Sequence, residues 1–199
     1  MMKRARPYDR DVALEAAMTL FWEKGYHATS LKDLETALQM KPGSIYAAFL
    51  SKENLFGLVL ERYFERNRAE FVSMMETEES PLLALAKFLR RFGRSEQSNP
   101  KGQACMLVKT LLNATQDDAA ITKKVTTYLD LMESEMAAVF ARAVKAGELP
   151  QNADVQRLAR RYQSDLTALR IEAHRGLKPH ELEASANEVA DNLLAQRLQ

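Results

Sequence analysis

Apolar residues recur along this chain with the period of an α-helix, nearly from end to end. Val12, Ala13, Ala16, Ala17, Leu20 and Phe21 mark a first helix running from Asp9 toward Gly25, a residue suited to a left-handed C-cap. A second, short helix follows. Ser30 can cap it, Asp33 lies three residues on in a capping-box arrangement, and Leu31, Leu34, Ala37 and Leu38 form its buried stripe. Pro42 suits the first turn of a third helix over 42–49, where its missing N–H leaves nothing unsatisfied. Ser51-Lys52-Glu53-Asn54 reads as an N-cap with an acidic first turn, opening a long fourth helix over 52–75. Ser80-Pro81 opens a fifth helix to about residue 96, and 97–102 is the clearest loop. Further helices are predicted over 104–114, 118–146 and 152–175, and from Pro179 nearly to the end, with Gly147, Pro150 and Gly176 as stops. β-branched alternation and Asn-Gly hairpin signals are lacking, so the fold class is all-α. The expected organisation is a three-helix module over 1–51 and a helical bundle over 52–199, joined by the helix over 52–75.

Composition narrows the chemistry. Of 199 residues, 46% are hydrophobic and 28% charged, enough apolar material for a real core. The formal charge is +1, and residues 1–55 hold eight Lys or Arg against seven Asp or Glu, so any affinity for a polyanion must come from local placement. A single cysteine excludes an internal disulfide framework and a CxxC zinc site, and three scattered histidines oppose a His-rich metal site. No metal and no cofactor are expected. The apolar runs are too short for a membrane span and the N-terminus lacks the apolar stretch of a signal peptide, so a reduced, cytoplasmic setting without a membrane partner is expected. No Ser-His-Asp, paired-carboxylate or phosphate-loop constellation stands out, which leaves an enzyme reading little support.

Two short helices joined by a tight turn and braced by a first helix make a helix-turn-helix arrangement. Its physics suits duplex DNA. A short amphipathic helix can bury one face and lay the other in the major groove, and Gly43, Ser44, Ala47 and Ala48 are small enough for close approach. Free N–H groups near Thr29-Ser30 and Ser51-Lys52 can hold phosphates. On the residues alone a second reading stays open: a small-molecule-binding helical protein or enzyme in which this module is purely structural.

The ordered segments Thr29-Ser30-Leu31-Lys32-Asp33-Leu34, Pro42-Gly43-Ser44-Ile45-Tyr46-Ala47-Ala48-Phe49 and Ser51-Lys52-Glu53-Asn54-Leu55-Phe56 resemble the DNA-binding domain of TetR-type transcriptional regulators. Leu20-Phe21-Trp22-Glu23-Lys24-Gly25-Tyr26 fits the family's first-helix ending, and the resemblance is close over 9–60. It implies a nine-helix, Ω-shaped homodimer, usually a repressor, that binds a pseudo-palindromic double-stranded DNA operator and is released by a small molecule. It also implies DNA contacts from Thr29 or Ser30, Lys41, Gly43, Ser44, Tyr46 (to phosphate) and Lys52. The family commonly has Gly where this chain has Gln39. Left-handed backbone there costs a non-Gly residue roughly 1 kcal/mol, so a differently shaped turn is expected. Lys41 stands where a side-chain cap is common, and Ala47-Ala48 offer methyls where the family is often polar, so base readout is expected to lean on Lys41, Ser44 and thymine methyls.

Outside the DNA-binding motif, Lys3, Arg4 and Arg6 are a solvated tail or an arm along the DNA backbone. An effector cavity is expected among the fourth to eighth helices, with Phe88, Phe92, Cys105, Met106, Lys109, Asn113, Tyr128, Met132, Met136 and Tyr162 as candidate linings. Cys105 follows a Pro/Gly loop near a helix start, with Lys101 and Lys109 four residues either side, and is either a small packed residue or an electrophile or oxidant sensor. Dimerisation is expected through the last two helices, with Val155, Leu158, Ala159, Tyr162, Leu166 and Leu169 on one stripe and Leu182, Ala186, Val189, Leu193 and Leu194 on the other.

Overall fold

The structure, a computed structural model, describes residues 8–95 and 104–198. The described residues form nine α-helices: α1 (Arg10–Lys24), α2 (Leu31–Leu38), α3 (Pro42–Phe49), α4 (Lys52–Met75), α5 (Pro81–Ser95), α6 (Met106–Asn113), α7 (Ala119–Lys145), α8 (Val155–His174) and α9 (Pro179–Leu194). A 3-10 turn over Gln116–Asp118 precedes α7. The all-α expectation holds. The segments Lys3–Arg6 and Lys101–Gly102 lie outside the described residues.

Local chemistry sets the helix starts. Asp9 caps α1 by accepting from the N–H groups of Asp11 and Val12. Ser30 caps α2 and closes a full capping box with Asp33. The Ser51 hydroxyl accepts from the Asn54 N–H at 2.9 Å as α4 begins. Asp154, not Asn152, caps α8, which shortens that helix relative to the expected 152–175. One expected core position fails: Val12 is 65% exposed. The inner face of α1 is Ala13, Leu14, Ala17, Met18 and Phe21, a set spaced at three and four residues that excludes position 12.

Cα packing divides the chain into two compact units, Met1–Glu65 with Met106–Val125, and Arg66–Cys105 with Thr126–Gln199. The first unit takes α6 and the start of α7 in addition to the helix-turn-helix, and hydrogen bonds tie those segments to α1 and α4. Lys109 donates to the Trp22 and Glu23 carbonyls at 2.7 and 3.0 Å, and Lys124 to the Gly57 carbonyl at 3.1 Å. Phe21, Tyr26 and Phe56 cluster at the centre of the first unit, with Phe21 edge-on to Phe56 at 4.9 Å and Tyr26 stacked on Phe56 at the same distance.

The second unit has its own core, from Phe71 and Leu85 through Phe140 and Tyr162 to Leu193. α5 and α9 approach closely at Gly93, where a Cβ would stand 2.6 Å from the Ala186 Cβ. The Tyr162 hydroxyl donates to the Leu85 carbonyl at 2.9 Å, and burial pushes the Tyr162 phenol well above its ordinary pKa. Tyr162, Leu166, Leu169 and Leu193, expected to form an intersubunit seam, are instead at most 8% exposed within the single subunit. These four fill its core, because the inward stripe of an amphipathic helix serves its own subunit first. Leu158 and Val189 are only partly buried. Among the described residues no helix is long and apolar enough to cross a membrane.

Glu148 is a buried carboxylate that no local pattern marks. Its Oε2 accepts from the Leu82 N–H at 2.9 Å and its Oε1 from Arg197 at 3.2 Å, so it caps α5 from 66 residues away. Glu148→Ala strands a buried donor and is expected to destabilise the protein by about 1–3 kcal/mol. Glu148→Gln keeps an acceptor and should lose less. Urea unfolding followed by circular dichroism checks both.

Candidate nucleic-acid interface

α3 is anchored along one edge and open along the other. Ile45 and Phe49, four residues apart, are 2% and 1% exposed. Lys41, Gly43, Ser44, Tyr46 and Ala47 all face outward. The helix starts at Pro42, and its N-cap Lys41 makes no side-chain cap hydrogen bond. In the first turn of α3 Pro42 has no N–H, and the Ser44 and Ile45 N–H groups donate to the Lys41 carbonyl at 2.9 and 3.1 Å, which leaves the Gly43 N–H beside an exposed ammonium, an arrangement that attracts an anion.

The turn before α3 is left-handed after all. Gln39 sits at φ 53, ψ 39 and closes α2 with its N–H on the Glu35 carbonyl. The turn has the shape a glycine would give it, and the chain absorbs the cost of about 1 kcal/mol. A second left-handed residue, Leu50, escaped the sequence analysis. At φ 66, ψ −51 it is the centre of a γ-turn in which the Ser51 N–H donates to the Phe49 carbonyl at 2.7 Å. This reversal lets α3 end and α4 begin within two residues. Asn54 secures it by donating to the same Phe49 carbonyl at 2.9 Å. Leu50 itself is 76% exposed.

Ser30 lies at the exposed start of α2, as expected, but Thr29 does not reach the surface. It is 1% exposed and its hydroxyl donates to the Gly25 carbonyl at 2.7 Å, so it fastens the α1–α2 turn and offers no side chain to a partner. Lys24 joins the same helix start. Its ammonium meets Asp33 at 2.6 Å, tying the end of α1 to the capping box of α2. That bond, followed by the Ser30 hydroxyl and N–H, holds the Asp33 carboxyl well below the usual carboxylate range. His27 likewise has a partner, with Nε2 2.7 Å from Asp118 Oδ2. Lys52, at the start of α4, lies over the Tyr26 ring with Nζ 4.6 Å from the centroid. Partial burial lowers its pKa. Arg10 reaches from α1 to the far end of α3, donating to the Ala48 carbonyl at 3.4 Å and lying over the Phe49 ring. The contacts of Arg10 and Tyr26 span distant parts of the chain and carry no local signature.

The candidate effector residues separate. Met106, Lys109 and Asn113 border one cavity of the first unit. Phe88, Phe92, Met132, Met136 and Tyr162 pack in or against the core of the second, and Tyr128 is partly buried on α7. Cys105 is 8% exposed, the burial of a packed residue rather than of an accessible thiol.

The helix-turn-helix has counterparts among known proteins. Residues 13–59 match the model of bacterial regulatory proteins of the tetR family. The HTH-type transcriptional repressor ComR of Escherichia coli (strain K12) is 32% identical over 176 residues, covering 87% of this chain and 84% of ComR. The chain belongs to the TetR family. The HTH-type transcriptional repressor BdcR of the same organism is 29% identical over 106 residues, 53% of this chain and 54% of BdcR. A cysteine mutant of the TetR family regulator CifR, solved in complex with 26-bp double-strand operator DNA, superposes with a TM-score of 0.87 at 26% identity, covering 98% of this chain and all of that one. This TetR-family protein is accordingly a DNA-binding transcriptional regulator.

Two outcomes follow from the geometry. Leu50→Gly relieves a positive φ without removing a packed side chain and should raise stability by about 1 kcal/mol, read from the urea midpoint. Because Asp33 is held below the ordinary carboxylate range when folded, its contribution is present above that range and is lost as pH falls through and below it. Asp33→Asn should therefore flatten the acid side of the stability profile, measured as urea midpoints from pH 7 to pH 3.

Proposed function

We propose that the chain is a homodimeric repressor that binds a pseudo-palindromic operator through two copies of α3 and is released by a small-molecule effector. The observation that carries this reading is the split of α3 into a buried edge, Ile45 and Phe49, and an open edge of Lys41, Gly43, Ser44, Tyr46 and Ala47. The open edge has two small positions for close approach to base edges and a hydroxyl on each of Ser44 and Tyr46. The repressor names of ComR and BdcR, and the operator complex of CifR, support the same reading.

One α3 reads only a few base pairs, so two must act together, addressing major-groove segments about 34–36 Å apart. In this reading the joining surface is on α8, away from the residues that fill the core of its own subunit. The exposed face of α8 suits it, since Ser164 and Ala168 are small and exposed and Ile171 beside them is 48% exposed. In this reading Ser30, Lys41, Tyr46 and Lys52 meet phosphates, and Ser44 with the Ala47 methyl meets base edges.

DNA selected from a random pool by the purified protein provides the substrate for the test. Affinity should fall steeply with added salt as counterions are released. Tyr46→Phe should weaken every duplex similarly, by about 0.5–1.5 kcal/mol, whereas Ser44→Ala should change the preferred base. Ile171→Glu should give a folded monomer in light scattering. Salt-independent binding, or two α3 variants that bind as the parent does, contradicts the assignment of α3; a folded Ile171→Glu dimer moves the interface elsewhere.

A further inference from the structure

The first unit contains a cavity of about 450 Å3 bordered by the turn from α1 to α2, by α6 and by the start of α7. That is the size of a small-molecule site. Phe21, Met106 and Ile121 give it an apolar wall, and Lys24, His27, Lys109 and Asp118 are the charged or titratable side chains on its lining. Asp118 is already engaged, its Oδ2 accepting from the Thr115 N–H at 2.7 Å and the Thr115 hydroxyl at 2.8 Å while lying 2.7 Å from His27 Nε2. The two ammonium groups are not exhausted. Each carries three donors. Lys109 directs two at the Trp22 and Glu23 carbonyls, and Lys24 directs one at Asp33. Met106 is the first residue of α6, so the positive end of that helix borders the same space. The lining is therefore an apolar wall with two ammonium groups that keep spare donors and one carboxylate, Asp118, whose Oδ2 is engaged by Thr115 and His27.

We propose that this cavity is a ligand site for a small carboxylate with an apolar body, and that it is the effector site of this regulator. The carboxylate meets Lys109 and Lys24, and the apolar body lies against Phe21, Met106 and Ile121. The site adjoins the DNA-reading helices within one packed unit. Its turn runs straight into Thr29 and the Ser30 cap of α2, and begins at Gly25, held at φ 84, ψ 167 with its carbonyl bound by the Thr29 hydroxyl. A ligand that draws Lys109 from the carbonyls ending α1 shifts this turn, and with it α2 and α3. Only that consequence rests on the effector-release reading; occupancy does not.

The test separates the two. Isothermal titration of the full chain, without DNA, uses 1-naphthoate, 1-naphthamide and 1-naphthylmethylamine, three probes of one shape and different charge. The acid should bind, the neutral amide at least about tenfold more weakly, and the amine more weakly still. Ala114→Trp, which places a bulky side chain in the lining and leaves both lysines in the chain, should abolish binding while keeping parental circular dichroism and DNA affinity. Lys109→Met should weaken the acid by at least about tenfold and leave the amide unchanged. No binding of the acid at millimolar concentration, equal binding of the amine, or acid binding that survives Ala114→Trp overturns the site. Should the acid bind as expected yet leave DNA affinity unaltered, the site stands and the effector role is refuted.

Discussion

Two side chains, Ile45 and Phe49, hold α3 by one edge, and the rest of the first unit is arranged around that hold. Both are almost fully buried, which fixes the roll of α3 about its axis and decides which residues remain outside. An eight-residue helix is too short to persist in water by its own propensity. Its ends must therefore be secured by tertiary contacts, and they are. Gln39 bends the chain into α3 in a left-handed conformation, the γ-turn at Leu50 ends it, and Asn54 and Arg10 bond the carbonyls at its far end. The two left-handed non-glycine residues among those described lie on either side of α3. The chain tolerates backbone cost there because the placement of α3 demands it.

The second layer of the first unit ties that helix pair to residues much later in the chain. His27 meets Asp118 and Lys109 meets the last carbonyls of α1, contacts that span 91, 87 and 86 residues. α6 is thus a brace for the helix-turn-helix as well as a wall of the adjoining cavity. The second unit is built on more ordinary terms, with an apolar core, a glycine where α5 and α9 nearly touch, and one buried carboxylate capping α5 from a distance.

Most helix starts governed by short-range chemistry could be read in the sequence, the Asp154 cap of α8 excepted. Ser30 with Asp33, Ser51 before α4, and Pro42 and Pro179 in first turns act as expected because capping involves residues at most a few positions apart. The open face of α3 was legible for the same reason, as helical spacing alone separates Ile45 and Phe49 from Ser44 and Tyr46. What failed depended on tertiary contacts. Gln39 carries no sign that its neighbours can offset left-handed strain. Thr29 has the chemistry of a phosphate ligand but is enclosed by its bond to Gly25. Tyr162, Leu166, Leu169 and Leu193 form a genuine apolar stripe, yet periodicity cannot say whether a stripe meets its own subunit or a second one. Met106, Lys109 and Asn113 lie on a different unit from Phe88 and Tyr162, a separation set by packing that no local pattern carries.

The central claim is that α3, through its open edge, reads bases in the major groove. Chemical interference on a duplex selected by the protein measures this at single-nucleotide resolution, with methylation of guanine N7 marking major-groove contacts and ethylation marking phosphates. The account predicts two clusters of N7 interference separated by about one helical turn, each flanked by interfering phosphates. Interference confined to the minor groove, or to phosphates without any base position, would contradict it.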